Sequence, residues 1–305
     1  MSEQPNTYLL SERFGKSVGL GILSWKSEQT LTNTLESHAA AGLFELFDQV
    51  LIHFQEIRPQ DVELARRFGL DYVGSEKNRH IGGGFYKLIK SFETEYIFLL
   101  EDDLTLDDDR DALYRTLSDA IHLIERDEID ILRCRRRGNT QKVYSKYRKI
   151  HEFDESVNDV DESYFPKVSA PKRLLNRIRN PFRAHRTIAK APWIEKHPET
   201  VFPKQIRRVP ALHNDVYVLQ GTATKWSNPA IFAHRRFFRE VYDYINSQTP
   251  GFEEFGLSLE KLVNKGNRSW WLKQGYRMGV TKPILINHTR AADGGKSNPN
   301  YPRYK

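Results

Sequence analysis

The chain has 305 residues, a net charge of +7, a single cysteine, and 39% hydrophobic and 12% aromatic residues. That apolar content suits one large folded domain or two small ones and excludes a disordered chain. One cysteine excludes an intrachain disulfide, no apolar run approaches the ~20 residues of a membrane span, and the polar start Met1-Ser2-Glu3-Gln4-Pro5-Asn6 is not a signal peptide, so a soluble cytoplasmic protein is expected.

The excess of positive charge favours polyanionic partners: phosphate-bearing substrates, acidic lipid surfaces or nucleic acid. Residues 1–14 read as a lead-in with a short helical turn. Val18 to Leu23 is a first strand. Ser27 or Thr30 caps a helix with Leu31, Leu35 and Ala39 on one face, and Gly42 ends it. Gln49 to Phe54 is the second strand, Asp61 to Arg67 a short helix closed by Gly69, and Asp71 to Val73 a third strand. Gly82-Gly83-Gly84 opens the next helix, through Leu88 and Ile89. The fourth strand, Tyr96 to Leu100, is apolar throughout and runs into Glu101-Asp102-Asp103. Asp109 starts a helix from Ala112 to Glu125, with Leu113, Leu117, Ile121 and Ile124 in one stripe, and Asp130 to Cys134 is a fifth strand.

Strands alternating with helices through residue 134 predict an α/β fold with a mostly parallel central sheet. Residues 135–212 differ: Arg135-Arg136-Arg137 opens a stretch rich in arginine and proline, read as an irregular or short-helical basic insertion. It suits a solvated face, an anionic acceptor or an acidic membrane surface; no nucleic-acid motif accompanies it. Asn214 to Leu219 then reads as a strand, Phe232 to Asn246 and Phe252 to Asn264 as helices, and Lys282 to His288 as a short strand. The Gly-, Asn- and Pro-rich residues after Thr289 read as a mobile tail.

The acids after the fourth strand carry the functional signal. Ligands of open α/β sheets bind at the carboxyl ends of the strands. Three adjacent carboxylates repel unless a cation or hydrogen bonds offset them, and hard cations such as Mg²⁺ and Mn²⁺ favour carboxylate oxygen. The neighbouring Asp107-Asp108-Asp109 fits helix-start charge better than metal ligation.

The pattern EYIFLLEDDL, the Asn78, Gly82 and Gly83 loop before the preceding helix, and an isolated strand-end histidine far downstream together resemble the GT-A fold glycosyltransferases, especially family-2-like enzymes. Their DXD motif would appear here as Glu101-Asp102-Asp103. The resemblance covers residues 17–134 well and 214–290 loosely. It implies one domain over 15–290, with a nucleotide-sugar half at 15–134, the basic insertion at 135–212, and an acceptor and catalytic half at 213–290. It also implies a nucleotide-diphosphate sugar donor, bound with Mn²⁺ or Mg²⁺, and a carbohydrate or glycoconjugate acceptor whose hydroxyl attacks the anomeric carbon.

Carried over to this chain, the resemblance makes Asp103 and His288 the metal ligands, and imidazole tips the preference toward Mn²⁺. Glu101 falls at the ribose or metal-bound water, and Asp102 is counted with the nucleotide-binding residues without an assigned contact. Ser24, Gln55, Glu56, Lys77, Asn78, Gly82 and Gly83 fall around the nucleotide. A base for an inverting reaction is expected among Glu253, Glu254 and Glu260, although first-turn acids at a helix start need no catalytic role. Trp226, Asn228, Asn214 and Asp215 are acceptor-side candidates, although tryptophans are more often core than sugar platforms. Two rivals stand beside this reading. A nucleotidyltransferase would carry a Gly-rich basic loop after the first strand, where Ser24-Trp25-Lys26-Ser27-Glu28 stands instead. A non-catalytic basic binding protein would leave the strand-end acids unexplained.

Overall fold

The computed structural model describes residues 9–106, 110–134, 188, 191–193, 197–220, 226–227, 230–255, 258–281 and 286–288. Most of the expected basic insertion, the tail after Thr289 and Asn228 lie outside the described residues. The helices are α1 Leu10–Phe14, α2 Glu28–Ala40, α3 Pro59–Arg67, α4 His80–Ser91, α5 Arg110–Glu125, α6 Pro198–Val201, α7 Arg235–Gln248, α8 Phe252–Phe255, α9 Leu259–Lys261 and α10 Arg268–Gln274. The strands are β1 Val18–Trp25, β2 Gln49–Gln55, β3 Asp71–Ser75, β4 Tyr96–Glu101, β5 Leu104–Leu106, β6 Ile131–Arg133, β7 Ile206–Pro210, β8 Asp215–Gln220, β9 Ile231–His234, β10 Arg277–Thr281 and β11 Ile286–His288.

The result is a mixed, mostly parallel nine-stranded sheet in the order β3-β2-β1-β4-β9-β6-β10-β8-β7, with a separate two-stranded ladder of β11 and β5. The expected α/β architecture holds, and the first four strands pair in parallel. Alternate residues of each strand divide between two apolar layers, as the strand period of 2 requires. Ile97 and Leu99 join α4, α7, α8 and α10 on one face. Phe98 and Leu100 join α2, α3 and α5 on the other. Among the described residues no helix is long and apolar enough to cross a membrane.

Three expectations change. Residues 206–210, inside the region read as an insertion, form the edge strand β7, with Ile206 and Val209 inward. Its exposed arginines are matched within the fold: Arg207 pairs with Glu128 at 2.6 Å and Arg208 with Asp215. The helix expected from Phe232 begins instead with β9, which inserts antiparallel between β4 and β6 so that Ala233 faces both Ile97 and Ile131. α7 starts only at Arg235, where the His234 ring nitrogen accepts the Arg236 N–H at 3.0 Å. The helix expected over 252–264 is broken into α8, α9 and a π turn at Leu262–Gly266.

A buried histidine ties β2 to its neighbours. His53 is 0% exposed; its Nδ1–H donates to the Gly84 carbonyl at 2.8 Å and its Nε2 lies 3.3 Å from Ser75 Oγ. Burial is the main cause that lowers its pKa from 6.5 to about 4, and Lys87 and Arg79 push the same way. The unfolded chain therefore takes up this proton first. The stability that neutral His53 contributes is complete above pH 6.5 and is lost as the pH falls toward about 4. A shift of this size corresponds to about 3 kcal/mol. Urea midpoints should fall across that pH window, and His53→Gln should flatten the slope while lowering stability at neutral pH. An unchanged slope in the variant would show that other groups control it.

Candidate active site

The carboxyl edge of β4 is a tight turn held from below. β4 ends at Glu101, Asp102 and Asp103 turn the chain, and β5 begins at Leu104. The Asp102 N–H donates to the Leu23 carbonyl at 3.1 Å. Its Oδ2 accepts from Ser24 Oγ at 2.9 Å, from the Trp25 N–H at 3.3 Å and from Ser27 Oγ. Its carbonyl accepts from Thr34 Oγ1 at 2.7 Å. Ser27 was expected as a helix cap; it stands at the N-cap position, but its hydroxyl is spent on Asp102 instead. Ser24, 3% exposed, is likewise engaged by Asp102. Burial raises the Asp102 carboxyl to about 6; the Asp103 charge adds to this and the three donors oppose it.

Asp103 is 1% exposed. β11 pairs antiparallel with β5, in a register that sets His288 opposite Leu104. The distant histidine is thus brought, at the backbone level, beside the residue that follows Asp103. A buried carboxylate at this turn is an oxygen donor of the kind that suits a hard divalent cation. Among the described residues no group of three His, Cys, Asp or Glu side chains is assembled as a ready metal site. Glu101 follows Ile97 and Leu99 on the α7 face. There its charge, after burial, helps to push the Tyr242 hydroxyl well above its usual range.

Three loops border this turn. Gln55 is 4% exposed, and its Oε1 accepts the Arg79 N–H at 2.7 Å, tying the end of β2 to the start of α4. Glu56 pairs with Lys26 across the loops after β1 and β2. The Lys26 ammonium holds the Glu56 carboxyl below its usual range, with help from Trp25 and the Asn78 N–H against burial. Asn78 Oδ1 accepts the His80 N–H at 2.7 Å, and the Lys77 carbonyl accepts from Ser75 Oγ at 3.0 Å. Lys26, Glu56 and His80 all adopt positive φ, at 48°, 52° and 52°. Left-handed backbone at non-glycine residues is strained and concentrates at functional sites. Nothing local in the sequence marks Glu56 as the partner of Lys26.

Two of the glycines at the start of α4 are tightly packed. A Cβ at Gly83 would meet the Glu253 carbonyl oxygen at 2.7 Å, and one at Gly84 would meet Leu23 at 2.7 Å. Gly82 is buried in the same first turn of α4. The close approach made possible by Gly83 is therefore to the backbone of α8.

The acceptor candidates divide between the two faces of the sheet. Both Glu253 carboxylate oxygens are engaged, by Arg79 at 3.6 Å and Lys90 at 3.0 Å, so this residue braces α8 against α4. Glu254 is exposed and Glu260 half-buried. Trp226 is a core residue rather than an open platform: it is 2% exposed, packed against Phe237, Tyr242 and Trp271. Asn214 donates its backbone N–H and its Nδ2 to Asp119 of α5, both at 3.0 Å, and Asp215 pairs with Arg208. Asp119 is on α5, on the sheet face opposite Trp226, so Asn214 and Trp226 do not converge on one acceptor pocket.

No family model matches the chain, and no curated protein matches it. Among solved structures, the chain is similar to glucosyl-3-phosphoglycerate synthase from Mycobacterium tuberculosis with Mn²⁺, UDP and glucosyl-3-phosphoglycerate (12% identity, 94% of this chain, 76% of that one, TM-score 0.44). It is also similar to S. aureus TarS 1-349 (13% identity, 91% and 62%, TM-score 0.42). A third is the mannosyltransferase PcManGT from Pyrobaculum calidifontis with GDP-Man and Mn²⁺ (13% identity, 43% of this chain, TM-score 0.35). The chain spans only 39% of that mannosyltransferase.

Proposed function

We propose that the chain is a metal-dependent glycosyltransferase of the GT-A type, moving a sugar from a nucleotide-diphosphate sugar to the hydroxyl of a carbohydrate or glycoconjugate. One observation carries this reading: the pairing of β11 with β5 sets His288 opposite Leu104, directly after the buried Asp103. Asp103 and His288 would hold Mn²⁺ or Mg²⁺. When bound, the ion offsets the charge that develops on the departing diphosphate. Glu101, at the end of β4, is suited to the ribose or a metal-bound water, and the loops carrying Gln55, Glu56 and Asn78 border the nucleotide. Inversion is favoured, with a base among Glu253, Glu254 and Glu260 as the proton acceptor from the attacking hydroxyl. Glu253 is less suited to that role because two cations already occupy its oxygens.

Thermal melting with a panel of nucleotide sugars, with and without Mn²⁺, tests this. GDP-mannose, carried by the mannosyltransferase structure, and UDP-glucose, carried by another structure of glucosyl-3-phosphoglycerate synthase to which the chain is similar, head the panel. A ligand at 100 times its Kd stabilises the folded state by about 2.7 kcal/mol, or roughly 4 °C for a chain of this size. A shift that requires both metal and one nucleotide sugar is expected. A shift with nucleoside triphosphate and release of pyrophosphate would point to a nucleotidyltransferase instead.

A further inference from the structure

Asp102 and Asp103 are adjacent acids with different surroundings. Asp102 Oδ2 receives two hydroxyls and a backbone N–H, from Ser24, Ser27 and Trp25. A cation at that oxygen would face the positive ends of three donors. The backbone of Asp102 is held as firmly, its N–H by the Leu23 carbonyl and its carbonyl by Thr34 Oγ1 at 2.7 Å. Thr34 is 0% exposed and stands on α2 one turn before His38, also 0% exposed. The His38 ring lies beside the Leu104 carbonyl, although outside ordinary hydrogen-bond geometry. α2 thus packs side chains against the carbonyls on both sides of Asp103.

We propose that Asp102 is a positioning residue and that Ser24, Ser27 and Thr34 lock the acid turn through it, fixing where the Asp103 carboxylate meets a divalent cation. This rests on Asp103 being a metal ligand, as proposed above. The physical reason is preorganisation. A two-residue turn between β4 and β5 leaves Asp103 free to pivot with its backbone unless that backbone is held. Partners that orient a ligand without touching the metal change metal affinity by about 10- to 100-fold when removed. Thr34 binds a carbonyl rather than a carboxylate, so its contribution is geometric and not a matter of charge.

The experiment titrates wild type, Thr34→Val, Thr34→Ser, Ser27→Ala, Asp102→Asn and Asp103→Ala with MnCl₂ alone, reading the melting temperature, and then measures kcat and KM at each Mn²⁺ level. Thr34→Val and Ser27→Ala should each raise the Mn²⁺ midpoint about 10-fold, with kcat recovering at high Mn²⁺. Thr34→Ser restores the hydroxyl and should keep the wild-type midpoint. Asp102→Asn keeps an acceptor oxygen and should weaken Mn²⁺ binding without abolishing it, whereas Asp103→Ala should show no Mn²⁺ shift. If Thr34→Val and Ser27→Ala melt lower with unchanged Mn²⁺ midpoints, the brace is structural only and the proposal fails. If Asp102→Asn loses the shift as completely as Asp103→Ala, Asp102 is a ligand and the proposal fails. A wild type without any Mn²⁺ shift overturns the metal reading itself, and this inference with it. Should Thr34→Val not fold, Ser27→Ala and Asp102→Asn still decide the matter.

Discussion

Asp103→Ala is expected to lower Mn²⁺-dependent turnover of the nucleotide sugar by about 10³-fold or more, while the protein stays folded. Losing one preorganised electrostatic contact at a reacting centre costs about 10²–10³ in kcat, and losing the protein's best carboxylate for the cation removes more than one such contact. Three powers of ten correspond to about 4 kcal/mol of barrier. The fold should survive because Asp103 sits in the turn between β4 and β5, outside both strands. Its charge also raises the pKa of Asp102, so truncation relieves a repulsion. Circular dichroism should match wild type, and the Mn²⁺-dependent rise in melting temperature should vanish. Normal turnover by the variant would remove the acid turn from the mechanism, and with it the glycosyltransferase reading.

The half of the chain that carries this turn was the readable half. β1, β2 and β4 are apolar runs bounded by glycines, polar caps or acids, and β4 delivers its carboxylates to the sheet edge where the sequence pattern puts them. The other half was harder for identifiable reasons. β9 is four residues that run straight into α7, so its apolar run merges with the helix periodicity. β5 is three residues, too short for any period, and although Lys282 to His288 reads as a strand, nothing in the sequence shows that its end pairs with β5 and joins residues 104 and 288. Contacts between distant residues were not legible either. Nothing in the triple glycine shows that Gly83 makes room for the backbone of Glu253, far along the chain. Ser27 has the form of a helix cap, and only the folded chain brings Asp102 to its hydroxyl. The acid triplet was legible as a strand-end turn; the different hydrogen bonding of its members was not, because it depends on β1 and α2.

Trp226→Ala is expected to act on stability rather than on acceptor affinity, by about 4 kcal/mol. The indole is 2% exposed. It stacks on Phe237 at 6.2 Å and meets Tyr242 and Trp271 edge-on at 6.1 and 5.8 Å. Such aromatic pairs contribute about 0.5–1.5 kcal/mol beyond their buried area. The backbone of Trp226 is clamped as well, its N–H to Asn264 Oδ1 and its carbonyl from Asn264 Nδ2, both at 2.9 Å. Removing the ring therefore opens a cavity whose rim cannot collapse freely, the case in which truncation costs most. Against a typical total stability of about 5–15 kcal/mol, the loss should appear as a much lower urea midpoint and poor soluble yield. Trp226→Phe, which refills most of the space, should recover over half of it. The folded fraction of either variant should keep the wild-type KM for acceptor, because the ring's faces are already covered by its neighbours. A variant with wild-type melting and a raised acceptor KM would mean that the cluster opens in solution to present Trp226 to a sugar, and the core assignment would then be wrong.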